Sequence, residues 1–106
     1  MLQGTIIRGT TPKHDFGLPY PIELIKDIRL AYVQNKKVVF VKQKNECTRQ
    51  DGTLSIVLTQ EETLSFAPNK IVGIEIRIKL YDGQVVRNEE PVCLRVVNTY
   101  DEEVMK

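Results

Sequence analysis

Val72-Gly73-Ile74-Glu75-Ile76-Arg77-Ile78-Lys79-Leu80 is the stretch that decides the fold. Apolar side chains at 72, 74, 76, 78 and 80 alternate with Gly, Glu, Arg and Lys, the two-residue period of a strand with one buried face. The strand runs into Tyr81-Asp82-Gly83-Gln84, and a central Asp-Gly pair suits a two-residue type I′ turn, in which both positions need positive φ. The chain then returns as residues 84 to 97, with Val85 opposite Leu80. Carried on unchanged, that register would place Val92, Leu94 and Val96 on the polar face, so one extra residue is expected between Arg87 and Pro91. Asn88, Glu89, Glu90 and a proline without an amide proton break the ladder there. Beyond the bulge Val92 pairs with Ile74 and Leu94 with Val72.

Working outward, residues 28–33 and 38–43 form a second hairpin around Gln34-Asn35-Lys36-Lys37, with Asn35 suited to a left-handed turn position. A two-residue-turn register puts Leu30, Tyr32, Val39 and Val41 on one face and Ala31, Val33, Val38 and Phe40 on the other. A third hairpin joins residues 46–49 to 53–58 through Gln50, Asp51 and Gly52. Thr59 and Glu62 then make a capping box that opens one helical turn through Leu64, and Pro68 stops it. Leu64 and Phe66 are expected to plug the bottom of the core. Upstream, residues 5–8 and 14–18 are shorter extended pieces, and residues 22–25 a turn before the first long strand. Seven or eight short strands, one helical turn near residues 60–65 and no repeat or linker describe a single domain over residues 1–106. The expected fold is an all-β, immunoglobulin-like antiparallel β-sandwich.

A chain of 106 residues supports one hydrophobic core, and 42% hydrophobic with 27% charged residues excludes a disordered chain. A net charge of +1 gives no strong pull on nucleic acid or anionic lipid, and no apolar run reaches the roughly 20 residues of a spanning helix. No signal peptide follows Met1, so the expectation is a cytoplasmic protein without a membrane partner. His14 is the sole histidine and Ser55 and Ser65 the sole serines, all in segments that read as structural. A nucleophile oriented by a base therefore has no clear candidates, and no enzyme is expected. Cys47 and Cys93 lack the CxxC pair and clustered histidines of a metal site, and although a disulfide between the two sheets is geometrically possible, the absence of an export signal leads to the expectation of two free thiols. With no glycine-rich phosphate loop, no cofactor is expected either.

The doubled apolar face of the second hairpin is the strongest functional signal. Ala31, Val33, Val38 and Phe40, flanked by Lys36, Lys37 and Lys42, make a candidate interface that needs cover. The segment from Phe16 to Ile22 could supply it, which is the preferred reading, or another chain could. Charge is also uneven, basic over residues 26–50 and acidic over residues 88–106, as suits contact with a protein partner or a second copy. Tyr32 and Phe40 interleaved with lysines allow nucleic-acid binding, which the neutral net charge disfavours. A carbohydrate site would want exposed aromatic platforms, and there is no Trp.

Ile7-Arg8-Gly9-Thr10-Thr11-Pro12, the Leu18-Pro19 step and Leu58-Thr59-Gln60-Glu61-Glu62-Thr63-Leu64 leading to Phe66 resemble small β-sandwich proteins of phages and prophages of Gram-positive bacteria. The similarity is to short tail-associated proteins and the N-terminal domains of baseplate upper proteins. It spans nearly the whole chain and rests on caps and turns. The resemblance implies a non-enzymatic structural or interaction module, incorporated in a phage particle. The alternative is a ligand-binding sandwich for carbohydrate or nucleic acid. A baseplate upper protein continues into a further coiled or receptor-binding region, where this sequence ends at Lys106.

Overall fold

The computed structural model describes residues 2–50 and 52–106. Its strands are β1 (Leu2–Ile7), β2 (Lys13–Gly17), β3 (Ile25–Gln34), β4 (Lys37–Gln43), β5 (Thr48–Gln50), β6 (Thr53–Val57), β7 (Ile71–Leu80), β8 (Val85–Arg87) and β9 (Val92–Val97). One helical turn, α1 (Gln60–Leu64), lies between β6 and β7, and 3₁₀ turns occupy Ile22–Leu24 and Lys44–Glu46. A six-stranded sheet runs β1-β9-β7-β3-β4, with β8 also paired to β7, and a three-stranded sheet runs β2-β6-β5. The chain is an all-β sandwich. Its strand pairs are antiparallel except β1 with β9, which run parallel with Ile6 beside Val96.

The decisive strand lies where its periodicity puts it. β7 pairs with β3 along one side, Ile74 beside Tyr32 and Ile78 beside Ile28, and with β8 and β9 along the other. Val72, Ile74, Ile78 and Leu80 are buried with Ile6, Ile28, Leu30, Leu54, Ile56, Leu58, Phe66 and Val96 between the sheets. The capping box forms as read: the Glu62 N–H donates to Thr59 Oγ1 at 3.1 Å and the Thr59 N–H to Glu62 Oε1 at 2.8 Å. Phe66 is the expected plug, fully buried, while Leu64 is half-buried beside it.

Three registers differ from expectation, each for a backbone reason. The Asp82-Gly83 turn is not type I′, because only Gly83 takes positive φ (95°). The Gly83 N–H donates to the Leu80 carbonyl and the Leu80 N–H to the Gln84 carbonyl, closing a three-residue loop of type I turn plus left-handed glycine. Val85 therefore faces Lys79 instead of Leu80 and is exposed, and Val86 turns inward. The break before Pro91 accordingly absorbs two extra residues instead of one. Val92 then faces Ile74 and Leu94 faces Val72, as the pattern requires. Asn88 bridges the gap: its Oδ1 accepts the Ile76 N–H at 3.0 Å, and its Nδ2 donates to the Ile74 and Glu90 carbonyls.

In the hairpin of β3 and β4, Asn35 and Lys36 both take positive φ (54° and 64°), and Val33 faces Val38 as expected. A bulge at Val39 then shifts the pairing by one, so Tyr32 faces Phe40 and Leu30 faces Lys42. In the third hairpin Gln50 faces Thr53, a shorter pairing than residues 46–49 would give, and residues 44–46 form a 3₁₀ turn. Asp51, assigned to that turn, lies outside the described residues.

One inward residue of β7 is not covered. Ile76 is only half-buried, whereas Ile74 is fully buried and Ile78 is 3% exposed. Truncation should reveal the difference: Ile74→Ala is expected to cost about 2–5 kcal/mol by opening a cavity, and Ile76→Ala about 1 kcal/mol. Urea denaturation of both variants measures it, and equal costs would show that Ile76 is packed.

Candidate functional site

The expected interface residues do not share a surface. The bulge at Val39 turns Phe40 inward, where its ring stacks on Tyr32 with centroids 4.7 Å apart and packs on Phe66 at 5.4 Å. Lys42 follows it inward and is 6% exposed, its ammonium paired with Glu62 of α1 and with Glu46 at 3.6 Å. On the outer face Ala31 is buried, Val33 half-buried and Val38 56% exposed, with Lys36 and Lys37 exposed at the hairpin end. What remains outside is a small patch around Val38. Tyr32 is wholly buried, and the half-buried Phe40 stacks on it.

The opening that leaves Ile76 half-buried is the more substantial feature. The small sheet stops at β2, and the large sheet continues past it under β8 and β9. A cleft of about 370 Å³ lies between Phe16, Leu18 and Tyr20 on one side and Ile76, Ile78 and Val86 on the other, with Arg87 and Asn88 at its rim. A second hollow of about 330 Å³ continues along β2, between His14 and Phe16 and the inner residues Ile74, Val92 and Leu94. Phe16 lines both. The segment from Leu18 to Tyr20 that helps cover the core is set by two prolines, and its start is tied down where the Leu18 N–H donates to the Gly52 carbonyl at 2.8 Å.

β2 places its side chains by strand alternation. His14 and Phe16 point inward and are half-buried; Lys13, Asp15 and Gly17 are exposed. The inner row continues an aromatic chain into the core, from Phe16 to His14 (6.4 Å) to Tyr32 (6.1 Å). His14 Nδ1 lies 3.0 Å from Tyr32 Oη. Burial holds the Tyr32 phenol protonated, and burial also lowers the His14 pKa from 6.5, opposed by Asp15. The imidazole is therefore held toward its neutral form, and its Nδ1 shares a hydrogen bond with the Tyr32 hydroxyl whose direction follows the ring tautomer.

The side chains of Asp15, Arg87 and Asn88 around the cleft are committed to structural bonds. Asp15 accepts from the Ser55 hydroxyl, Arg87 pairs with Glu75 at 3.0 Å, and Asn88 completes the edge of β7. Among the described residues no cluster of three or more His, Cys, Asp or Glu is placed to hold a metal. Cys47 and Cys93 are unpaired, and burial raises the Cys47 pKa, helped by Glu46. Among the described residues no helix is long and apolar enough to cross a membrane. No protein-family model and no curated protein matches the chain. Sequence reasoning missed the cleft, although the prolines at 19 and 21 marked the segment beside it.

Two outcomes test this description. Phe40→Asp should cost about 3–5 kcal/mol, since it removes a half-buried ring packed on Tyr32 and Phe66 and leaves a carboxylate beside them, while Val38→Asp should change stability by no more than about 0.5 kcal/mol. Thermal melts of both variants decide which residue faces inward. The depressed His14 pKa means that the neutral side chain favours the fold. Its contribution is complete above about pH 6.5 and is lost as pH falls through 6.5 toward the folded-state value. Stability should therefore fall as the pH drops below about 6.5, and His14→Gln should flatten that fall. An identical slope in the variant would assign the effect to other groups.

Proposed function

We propose that the protein is a non-enzymatic interaction module that seats a partner protein in the cleft between β2 and the inner face of β7, β8 and β9. The observation that carries this reading is the half-buried Ile76 on a strand whose other inward residues are buried. An apolar opening walled by strands, with its neighbouring polar side chains already bonded, offers shape and apolar area more readily than reactive side chains. Assembly of a phage- or prophage-type tail or baseplate is the setting we propose, supported by the resemblance at residues 7–12, 18–19 and 58–66. In that setting the charge asymmetry of the chain would orient the contact.

A second reading is favoured by the size of the main hollow. At about 370 Å³ it falls in the range of small-molecule sites, so a ligand-binding module is the alternative. Its apolar lining suits an apolar ligand better than a carbohydrate.

Val86→Glu separates these readings from an idle cleft. The side chain is half-buried at the mouth, where a carboxylate can reach water, so the fold should survive. A photo-crosslinker at position 86, used in the native host, should yield one discrete protein adduct, and the purified partner should bind wild type and lose at least about tenfold in affinity for Val86→Glu. A small-molecule adduct in native mass spectrometry would favour the alternative. Unchanged partner affinity in Val86→Glu would remove the cleft from the interface.

A further inference from the structure

We infer that the occupant of this cleft is an extended peptide strand that adds to the free edge of β2. The inference rests on the interaction reading above and specifies the chemistry of the partner. Among the described residues β2 pairs with β6 alone, Lys13 beside Val57 through Gly17 beside Thr53. At the two ends of this pairing the Leu58 N–H donates to the Pro12 carbonyl and the Leu18 N–H to the Gly52 carbonyl. Antiparallel ladders alternate, so these bonds assign the main chain of His14 and Phe16 to β6. The N–H and C=O groups of Lys13, Asp15 and Gly17 then point away from β6, along the cleft. Among the described residues those three amides have no main-chain or side-chain acceptor. A row of unpaired donors and acceptors at strand spacing is complemented by another strand.

The width of the opening selects which kind of strand. Inner residues Ile74, Ile76, Val86 and Val92 extend beyond β2 on the opposite wall, so the edge is recessed under the large sheet. A whole second copy docking edge to edge would bring its own large sheet into the layer this overhang occupies. A single segment one strand wide enters without that collision. Its inward side chains would alternate along the two hollows that flank Phe16, and apolar residues two apart suit them. Its outward side chains would lie beside Lys13 and Asp15, both more than half exposed, so a basic residue fits opposite Asp15 and an acidic one opposite Lys13. Run antiparallel to β2, this is the order apolar, basic, apolar, acidic, which complements the edge in both hydrogen bonding and charge.

The probe is a fluorescein-labelled peptide, Thr-Val-Lys-Val-Glu-Val-Thr, measured by anisotropy against the wild-type chain. Saturable binding is expected, with slowed hydrogen exchange at the Asp15 and Gly17 amides. N-methylation of the peptide's Lys, whose N–H faces β2, should weaken binding at least about tenfold, and N-methylation of the central Val, whose N–H faces away, by less than about twofold. Equal losses at the two positions, exchange protection elsewhere, or no binding would overturn strand addition. The broader reading is judged separately. If Val86→Glu still abolishes partner binding while the peptide result is negative, the cleft binds a partner in another form, and if both are negative neither reading stands.

Discussion

A sheet of six strands cannot have its inner face covered by a sheet of three, and the rest of this structure depends on that mismatch. Each inward residue of the wide sheet needs a partner across the gap or remains in contact with water. Toward α1 the deficit is met by the segment after β6. The Thr59–Glu62 box starts a short helical turn, Leu58 and Phe66 enter the core, and buried Thr63 donates to the Thr10 carbonyl while accepting the Gly9 N–H. Arg8 ties the same turn to β1 and to the chain end, donating to the Leu64 carbonyl and pairing with Glu102 at 2.7 Å. Beside β2 the described residues form no comparable element. Leu18 and Tyr20 give partial cover, and the deficit remains as the cleft at Ile76.

The large sheet is held in register by interruptions as much as by regular pairing. At Val39 the extra residue exchanges which side chains of β4 face the core, bringing Phe40 onto Tyr32 and setting the Lys42 ammonium against Glu62. A buried ammonium is tolerated because carboxylates of α1 and of the 3₁₀ turn meet it, so one displaced strand residue links β4 to both helical turns. Between β8 and β9 the two additional residues would leave the Ile76 N–H and the Ile74 carbonyl without ladder partners, and the Asn88 amide group supplies both. Gly73 belongs to the same adjustment: a Cβ there would stand 3.3 Å from Pro91, tighter than ordinary contact.

Where local chemistry dictated structure, the sequence could be read directly. The alternation of 72–80, the Thr59–Glu62 cap and the break before Pro91 each follow from a period, a hydrogen-bond donor or a missing one. The run Val38-Val39-Phe40-Val41 is apolar at every position, so either register buries something and the pattern selects neither. Only the aromatic neighbours Tyr32 and Phe66, brought together by tertiary packing, determine which side Phe40 takes. The Asp82-Gly83 pair fits a two-residue or a three-residue loop, and residues outside the pair decide between them. The parallel pairing of β1 with β9 joins chain segments about ninety residues apart and leaves no local trace. The cleft was illegible for a related reason: Ile76 has the same pattern as its neighbours, and only the limit of the opposite sheet distinguishes it.

An open strand edge is ordinarily a hazard, because it will pair with any other edge. The edges here are managed differently. β5 has three residues, all exposed, and the end of β4 carries Lys36 and Lys37, features that blunt sheet-to-sheet association. β2 has a lysine and an aspartate on its outer face, yet its protection also comes from position. Recessed beside a wider sheet, it excludes a second folded edge by volume while leaving its amides accessible to a single extended segment. The same overhang supplies the apolar wall against which such a segment would gain affinity. On the proposed reading, exclusion of a folded edge and attraction of a single strand would both arise from one geometric fact, the unequal width of the two sheets. A non-enzymatic role is compatible with this arrangement because selectivity would come from main-chain spacing, two hollows and two surface charges, none of which requires a reactive side chain.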